Sequence, residues 1–296
     1  MRKAFLQAVR DIVSTADMDR LTRALDTGNV TEALDALGIG PEYYRPLENA
    51  MVEIYAEGGG YQIDALPKQN PDTGTRTVFR FGVQSQRAQE WLRRESSRLI
   101  VEISEGQRNA AREAMERGLS EGRNPKAVGL DLVGRYNPKT RERSGGTIGL
   151  TSRETRAVQN YRGKRIEEGR PADQVERMTK RYASKLLRLR GERIARTETI
   201  GALNAGRMEA VQQAIDNGKI GIETVTKVWD ATMDRRTRDA HAILDGDQVG
   251  FNEPFRSVTG SFLNHPGDQS LGASGKDIVN CRCTMRIKVD FLAGVE

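Results

Sequence analysis

The chain has 296 residues, enough for about two domains at roughly 150 residues each. Its 37% apolar content and 30 glycines exclude wholesale disorder, and the absence of any apolar run of about 18 residues excludes a membrane-spanning helix. Two cysteines, Cys281 and Cys283, exclude a disulfide scaffold. The opening Met1-Arg2-Lys3-Ala4-Phe5-Leu6 starts like a signal peptide, but its apolar stretch ends at Arg10-Asp11 without a small-residue cleavage site, so a soluble intracellular protein is expected.

The net charge of +6 is unevenly spread. Residues 1–84 carry 9 basic and 12 acidic side chains, residues 85–200 carry 27 and 16, and residues 201–296 carry 11 and 13. All the excess positive charge lies in the middle third. Such asymmetry points either to a polyanionic partner or to a solvated helical surface laced with ion pairs.

The first elements read as amphipathic helices. Phe5, Val9 and Ile12 repeat at helical spacing, Thr31 to Leu37 forms a second helix stopped by Gly38, and Tyr44, Leu47, Met51, Ile54 and Tyr55 mark a third. Gly58-Gly59-Gly60 is expected to end that third helix. Tyr61, Ile63 and Ala65, then Thr77, Phe79 and Phe81, alternate with polar residues across the turn-rich stretch Pro67 to Gly74, which predicts a β-hairpin over 61–81. The hairpin closes a helical N-terminal module, residues 1–84.

A basic helical middle region, 85–192, follows. Gln86 to Leu119 reads as one long helix. The Gly-rich basic stretch from Gly134 to Gly149 reads as a functional or disordered connection. Thr151 and Glu154 form a capping box opening another helix. After Pro171, Val175, Met178, Tyr182, Leu186 and Leu189 form an apolar stripe, and Arg177, Arg181, Lys185 and Arg188 form a cationic row on a neighbouring face. That row suits a phosphate backbone, an acidic protein surface or plain solvation, and no groove-reading motif accompanies it.

The last hundred residues hold a helix from Glu192 to Asn217 closed by Gly218, a strand-like stretch from Thr224 to Thr232, and a set of separated motifs. These are Ile194-Ala195-Arg196-Thr197-Glu198, Asn204-Ala205-Gly206-Arg207, Thr232-x-Asp234-x-Arg236-Thr237-Arg238-x-x-His241, and Asn280-Cys281-Arg282-Cys283. In this order they resemble the C-terminal domain of phage Mu F-like minor head proteins, the phage head morphogenesis family. The resemblance covers about residues 193–296, and Gly145 to Ser152 resembles the segment upstream of that domain. Residues 1–84 match nothing familiar.

The residues carry some chemistry by themselves. Asp234 is expected to cap a short helix bearing Arg236 to Ile243, with His241 near its C-terminal end. Cys281, Cys283, Met285, Ile287, Val289 and Phe291 alternate with polar residues, the pattern of a half-buried strand whose cysteines face the core. Thiols at i and i+2 of a strand lie on one face, roughly 6.6 Å apart. With His241, and His265 as a fourth candidate, they make a Cys2His2 set suited to zinc, although CxC spacing is less typical than CxxC. A disulfide between them would strain strand geometry. Catalysis by either thiol with His241 lacks a third residue or oxyanion hole at any suggestive spacing.

The expected architecture is therefore mainly α, with a small α+β C-terminal domain at 193–296. The resemblance implies a minor head protein of a tailed phage, resident in the virion and present in the host cytoplasm during assembly. It implies association with portal, major capsid or scaffold proteins, roles in head assembly, DNA packaging or ejection, no catalytic activity and no membrane. Packaged double-stranded DNA is a further expected partner, and no cofactor is expected unless zinc is bound. The rival readings are a nonspecific DNA-binding protein and an enzyme, a nuclease or toxin-linked, using His241, Cys281 and Cys283. Some proteins with this domain carry a toxin domain after it, and the sequence ends at Glu296, soon after the terminal strand.

Overall fold

The computed structural model describes residues 1–69 and 74–290. Helices α1 (Arg2–Thr15), α2 (Met18–Asp26), α3 (Val30–Leu37), α4 (Arg45–Ala65), α5 (Gln86–Ser120) and α6 (Pro125–Val133) come first. A short hairpin, β1 (Arg135–Asn137) and β2 (Glu142–Ser144), leads to α7 (Ser152–Glu167) and α8 (Ala172–Asp216). The C-terminal part mixes β3 (Val225–Asp230), α9 (Asp239–Ile243), β4 (Gln248–Gly250), β5 (Phe255–Arg256), β6 (Phe262–Leu263), α10 (Gly275–Ile278) and β7 (Thr284–Val289). The fold is mainly α with a small α+β C-terminal part. Among the described residues no helix is long and apolar enough to cross a membrane.

The chain gathers into two compact units whose segments alternate along the sequence: residues 2–47 with 95–192, and residues 48–94 with 193–296 and Met1. In the first, α1 buries Phe5, Ala8, Val9 and Ile12, one apolar face of a 3.6-residue repeat. Asp17 caps α2 and Asn29 caps α3, each accepting from backbone N–H groups that the first turn leaves unpaired. Thr151 and Glu154 form the reciprocal capping box at the start of α7. The stretch 134–149, read as a loop, contains the β1–β2 hairpin and is tied down by Thr147 N–H donating to Leu132 O at 2.8 Å. Asp131 pairs with both Arg123 and Arg162, and Arg135 pairs with Glu176 at 2.8 Å, so part of the middle region's positive charge is balanced internally.

Two expectations about helix ends fail for one physical reason. Gly191 does not interrupt α8, because a Cβ there would meet Phe5 Cδ1 at 3.2 Å: the glycine makes room for a neighbour. The expected separate helix from Glu192 is thus the second part of a continuous 45-residue helix. Likewise Gly58-Gly59-Gly60 lies inside α4. A Cβ at Gly58 would lie 2.2 Å from Leu203 O, one at Gly59 2.2 Å from Phe81, and one at Gly206 2.0 Å from Tyr55 O. Gly58 and Gly206 let α4 and α8 touch backbone to backbone, and Gly59 makes room for the Phe81 ring, which outweighs their low helix propensity.

The hairpin expected over 61–81 is corrected accordingly. Tyr61, Ile63 and Ala65 belong to the end of α4, and among the described residues the chain's return forms one bridge, Gln69 to Arg76. Residues 70–73 of the expected turn lie outside the described residues. The return segment is held through side chains: Gln213 accepts from Gly82 N at 3.0 Å and donates to Gly82 O at 2.9 Å. Phe79 enters a core with Leu66, Val211, Ile220, Val225 and Phe251.

Strand β3 is the centre of an antiparallel sheet ordered β4-β3-β7, with Trp229 opposite Met285. Trp229, Leu244, Phe255, Leu263, Ile278, Cys281 and Cys283 form the second core of this unit. It holds the candidate site.

Candidate functional site

Three elements deliver the site. After β3 the chain turns through 231–238, where Asp234 N donates to Thr237 Oγ1 at 3.1 Å, and then enters α9, which carries His241. Asp234 does not cap that helix. It lies outside α9, whose N-cap residue is Arg238, and instead accepts from Arg236 N at 2.8 Å and grips Arg282 with two hydrogen bonds of 2.6 and 2.7 Å. The guanidinium, then the Arg236 N–H, hold the Asp234 carboxyl well below the usual carboxylate range.

Helix α10 carries Asp277 and ends near Asn280, which takes a left-handed φ of 58° that asparagine tolerates. Thr197 on α8 accepts from Asn280 N at 3.0 Å, and Arg196 reaches Asn280 Oδ1 at 3.5 Å. This turn sends Cys281 and Cys283 back into the core. Strand β7 begins only at Thr284, so the cysteines precede it, although their burial alternates with Arg282 and Thr284 as a strand's would. Phe291 lies outside the described residues.

His241, Cys281 and Cys283 converge. His241 Nδ1 is 3.3 Å from Cys283 Sγ and 3.6 Å from Cys281 Sγ, and the three donor atoms lie within 4.8 Å of one another. All three residues are buried, with the imidazole edge-on to Trp229 at 5.5 Å. The far nitrogen, Nε2, has no hydrogen-bond partner and faces Asp277 Oδ1 at 3.7 Å. Asp277 is fully buried and accepts from Ser257 at 3.1 Å and Thr259 at 2.6 Å. Burial alone would raise its pKa, but these hydroxyls and the imidazole hold it below the ordinary value. The thiols split: Cys283, receiving a hydrogen bond from Cys281 and contacts from His241 and Thr232 N–H, is pushed down, and Cys281 is pushed up.

His265 is not part of this group. Its Nδ1 is 3.1 Å from Pro266 O, and it lines a separate cleft with Tyr55, Trp91, Glu209 and Asp268. The remaining motif residues fasten the loops around the site. Asn204 donates to Pro266 O at 3.0 Å, Arg207 to Thr284 Oγ1 at 2.7 Å and Gln62 at 3.1 Å, Thr232 to Arg282 O at 2.8 Å, and Arg238 to Val279 O. Glu198 is buried on α8, and Arg236 is exposed in the turn.

Sequence reading missed Asp277 and Arg282. An acid four residues before the first cysteine is a signal for a carboxylate behind a histidine, but only once the histidine is known to be near. It also missed Lys227, buried in β3 with Nζ donating to Asn264 O at 2.9 Å; burial lowers its pKa to about 8. On α8, Arg177, Arg181, Lys185 and Arg188 are all exposed, with Arg177 paired to Asp173. The apolar stripe beside them is shifted: Val175, Thr179 and Ala183 are buried, while Leu189 is 43% exposed.

Residues 150–286 match the family model described as Phage Mu protein F like protein. Through this segment, somewhat under half of its length, the chain is similar to the phage Mu F-like family. It is 36% identical over 96 residues to the Minor head protein GP7 of Bacillus phage SPP1, covering 32% of this chain and 29% of that one. It is 40% identical over 104 residues to the NAD(+)--arginine ADP-ribosyltransferase EFV of Enterococcus faecalis, covering 34% of this chain and 19% of that one. The chain thus spans under a third of the length of the curated relatives it matches. No solved structure matches it.

Proposed function

We propose that this chain is a minor head protein of a tailed bacteriophage, a structural component acting in head assembly. The observation that carries the reading is the family match across 150–286, supported by identity to a minor head protein. Within that segment the motif residues Asn204, Arg207, Thr232 and Arg238 bond loop or strand atoms, and Asn280 bonds Thr197 of α8, all within one folded unit. They maintain a shape rather than line an open cleft. A protein of this kind works by docking, with portal, major capsid or scaffold protein as partner, inside the virion near the portal and in the host cytoplasm during assembly. Contact with packaged DNA through the cationic row of α8 is a further part of the proposal, as are roles in packaging and ejection.

The enzyme reading has one specific observation behind it. Cys283, His241 and Asp277 stand in the order of a nucleophile, a base and its orienting carboxylate. All three are buried, and a nucleophile must reach its substrate. The named activity of the Enterococcus relative belongs to a protein of which the match covers 19%. The non-enzymatic reading is therefore preferred.

The test is co-expression of the tagged chain with the portal, scaffold and capsid proteins of the same phage. Recovery of the chain on procapsids, and on portal complexes alone, is the expected result. Recovery as free protein, with procapsids forming without it, would remove the head-protein reading.

A further inference from the structure

We propose that His241, Cys281 and Cys283 bind one zinc ion as a Cys2His set, with Asp277 orienting the imidazole from behind. The inference stands apart from the head-protein reading and rests on geometry. A zinc about 2.3 Å from each sulfur and about 2.0–2.1 Å from the imidazole nitrogen, at tetrahedral angles, separates nitrogen from sulfur by about 3.6 Å. The two nitrogen–sulfur distances are 3.3 and 3.6 Å. Both nitrogen–sulfur separations thus match a zinc tetrahedron, and the two sulfurs lie within 4.8 Å of each other, leaving a fourth corner for water or an external ligand.

The surroundings fit the same assignment. A histidine that binds metal through one ring nitrogen usually directs the other N–H at a carboxylate. Here Nδ1 faces the sulfurs, and Nε2 faces Asp277 Oδ1 at 3.7 Å without any hydrogen-bond partner. A small approach completes that bond. Two thiolates and a divalent ion are together neutral, which suits a buried position. Sulfur with imidazole selects zinc over magnesium or calcium, which take oxygen. Packing alone leaves unexplained why Asp277, a fully buried carboxylate, stands behind a buried imidazole.

The full-length chain is purified reduced, analysed for zinc, stripped with a chelator and titrated with cobalt(II). One zinc per chain is expected, and cobalt should develop sulfur-to-metal charge-transfer absorption and tetrahedral visible bands that saturate at one equivalent and vanish on adding zinc. Asp277→Asn should keep the stoichiometry and lose about 10–100-fold in affinity. His265→Asn should change nothing. A folded, reduced wild-type chain with substoichiometric zinc and no cobalt–thiolate absorption overturns the proposal. Since Cys283→Ser can fail to fold, the test relies on the wild-type spectrum and on Asp277→Asn. Undiminished affinity in the latter would remove Asp277 from the site.

Discussion

A Cβ placed on Gly206 would lie 2.0 Å from the carbonyl oxygen of Tyr55. The backbones of α4 and α8 therefore meet with no side chain between them. Gly206→Ala must push the helices apart and is expected to destabilise by about 1–3 kcal/mol, the usual range for overpacking. At Gly163 in α7 an added Cβ would meet nothing within 4 Å, so Gly163→Ala should stabilise by about 0.5–1 kcal/mol. Denaturant midpoints of the two variants, shifted in opposite directions at unchanged slope, check the pair.

Lys227 gives an alkaline signature. Burial lowers its pKa to about 8 from the usual 10.5. The unfolded chain then holds the proton more tightly than the fold, so stability rises with pH between about 8 and 10.5 and is flat for this group outside that window. The gain is on the order of 3 kcal/mol at about 1.4 kcal/mol per pKa unit. Unfolding free energies measured across that range should show the rise in wild type, and Lys227→Met should flatten it.

Asp234 gives an acid signature of the same sign, stability again rising with pH but in the carboxylate range. Its carboxyl is held below the ordinary range by Arg282 and by the Arg236 N–H. The stabilisation is present above the unfolded carboxylate pKa and is lost as pH falls through and below it. Melting temperatures taken from neutral pH into acid should fall less steeply for Arg282→Gln than for wild type. The pair is solvent-exposed, so the difference should shrink in high salt.

The cationic row of α8 can be judged by salt. If Arg177, Arg181, Lys185 and Arg188 each neutralise one phosphate, the log–log slope of duplex DNA affinity against salt is about −3.6. Exchanging all four for Gln should abolish that slope while leaving the helix intact, since Gln has similar helix propensity. An unchanged slope would transfer any DNA binding to another face, and loss of procapsid association instead would make the row a protein-docking surface.

Much of the fold was legible because helices announce themselves locally. The α1 stripe, the Thr151–Glu154 capping box and the length of α5 depend on residues within a few positions of one another. The misreadings came from residues whose role is set by distant partners. Gly58 looks like a breaker until it is found against the backbone of α8 at Leu203. Asp234 looks like a cap until Arg282, 48 positions away, is found beside it. In the site, His241, Cys281 and Cys283 could be grouped by chemistry alone, but His265 could not be excluded nor Asp277 added without knowing which loops meet.

The decisive observation lies in the particle. Virions or procapsids from cells carrying this gene, purified through a density gradient, can be analysed by quantitative mass spectrometry against the major capsid protein. A minor head protein predicts that the chain is present, at low copy relative to the capsid subunit. Its absence from intact particles, with the chain recovered only in the soluble fraction, would contradict the assignment.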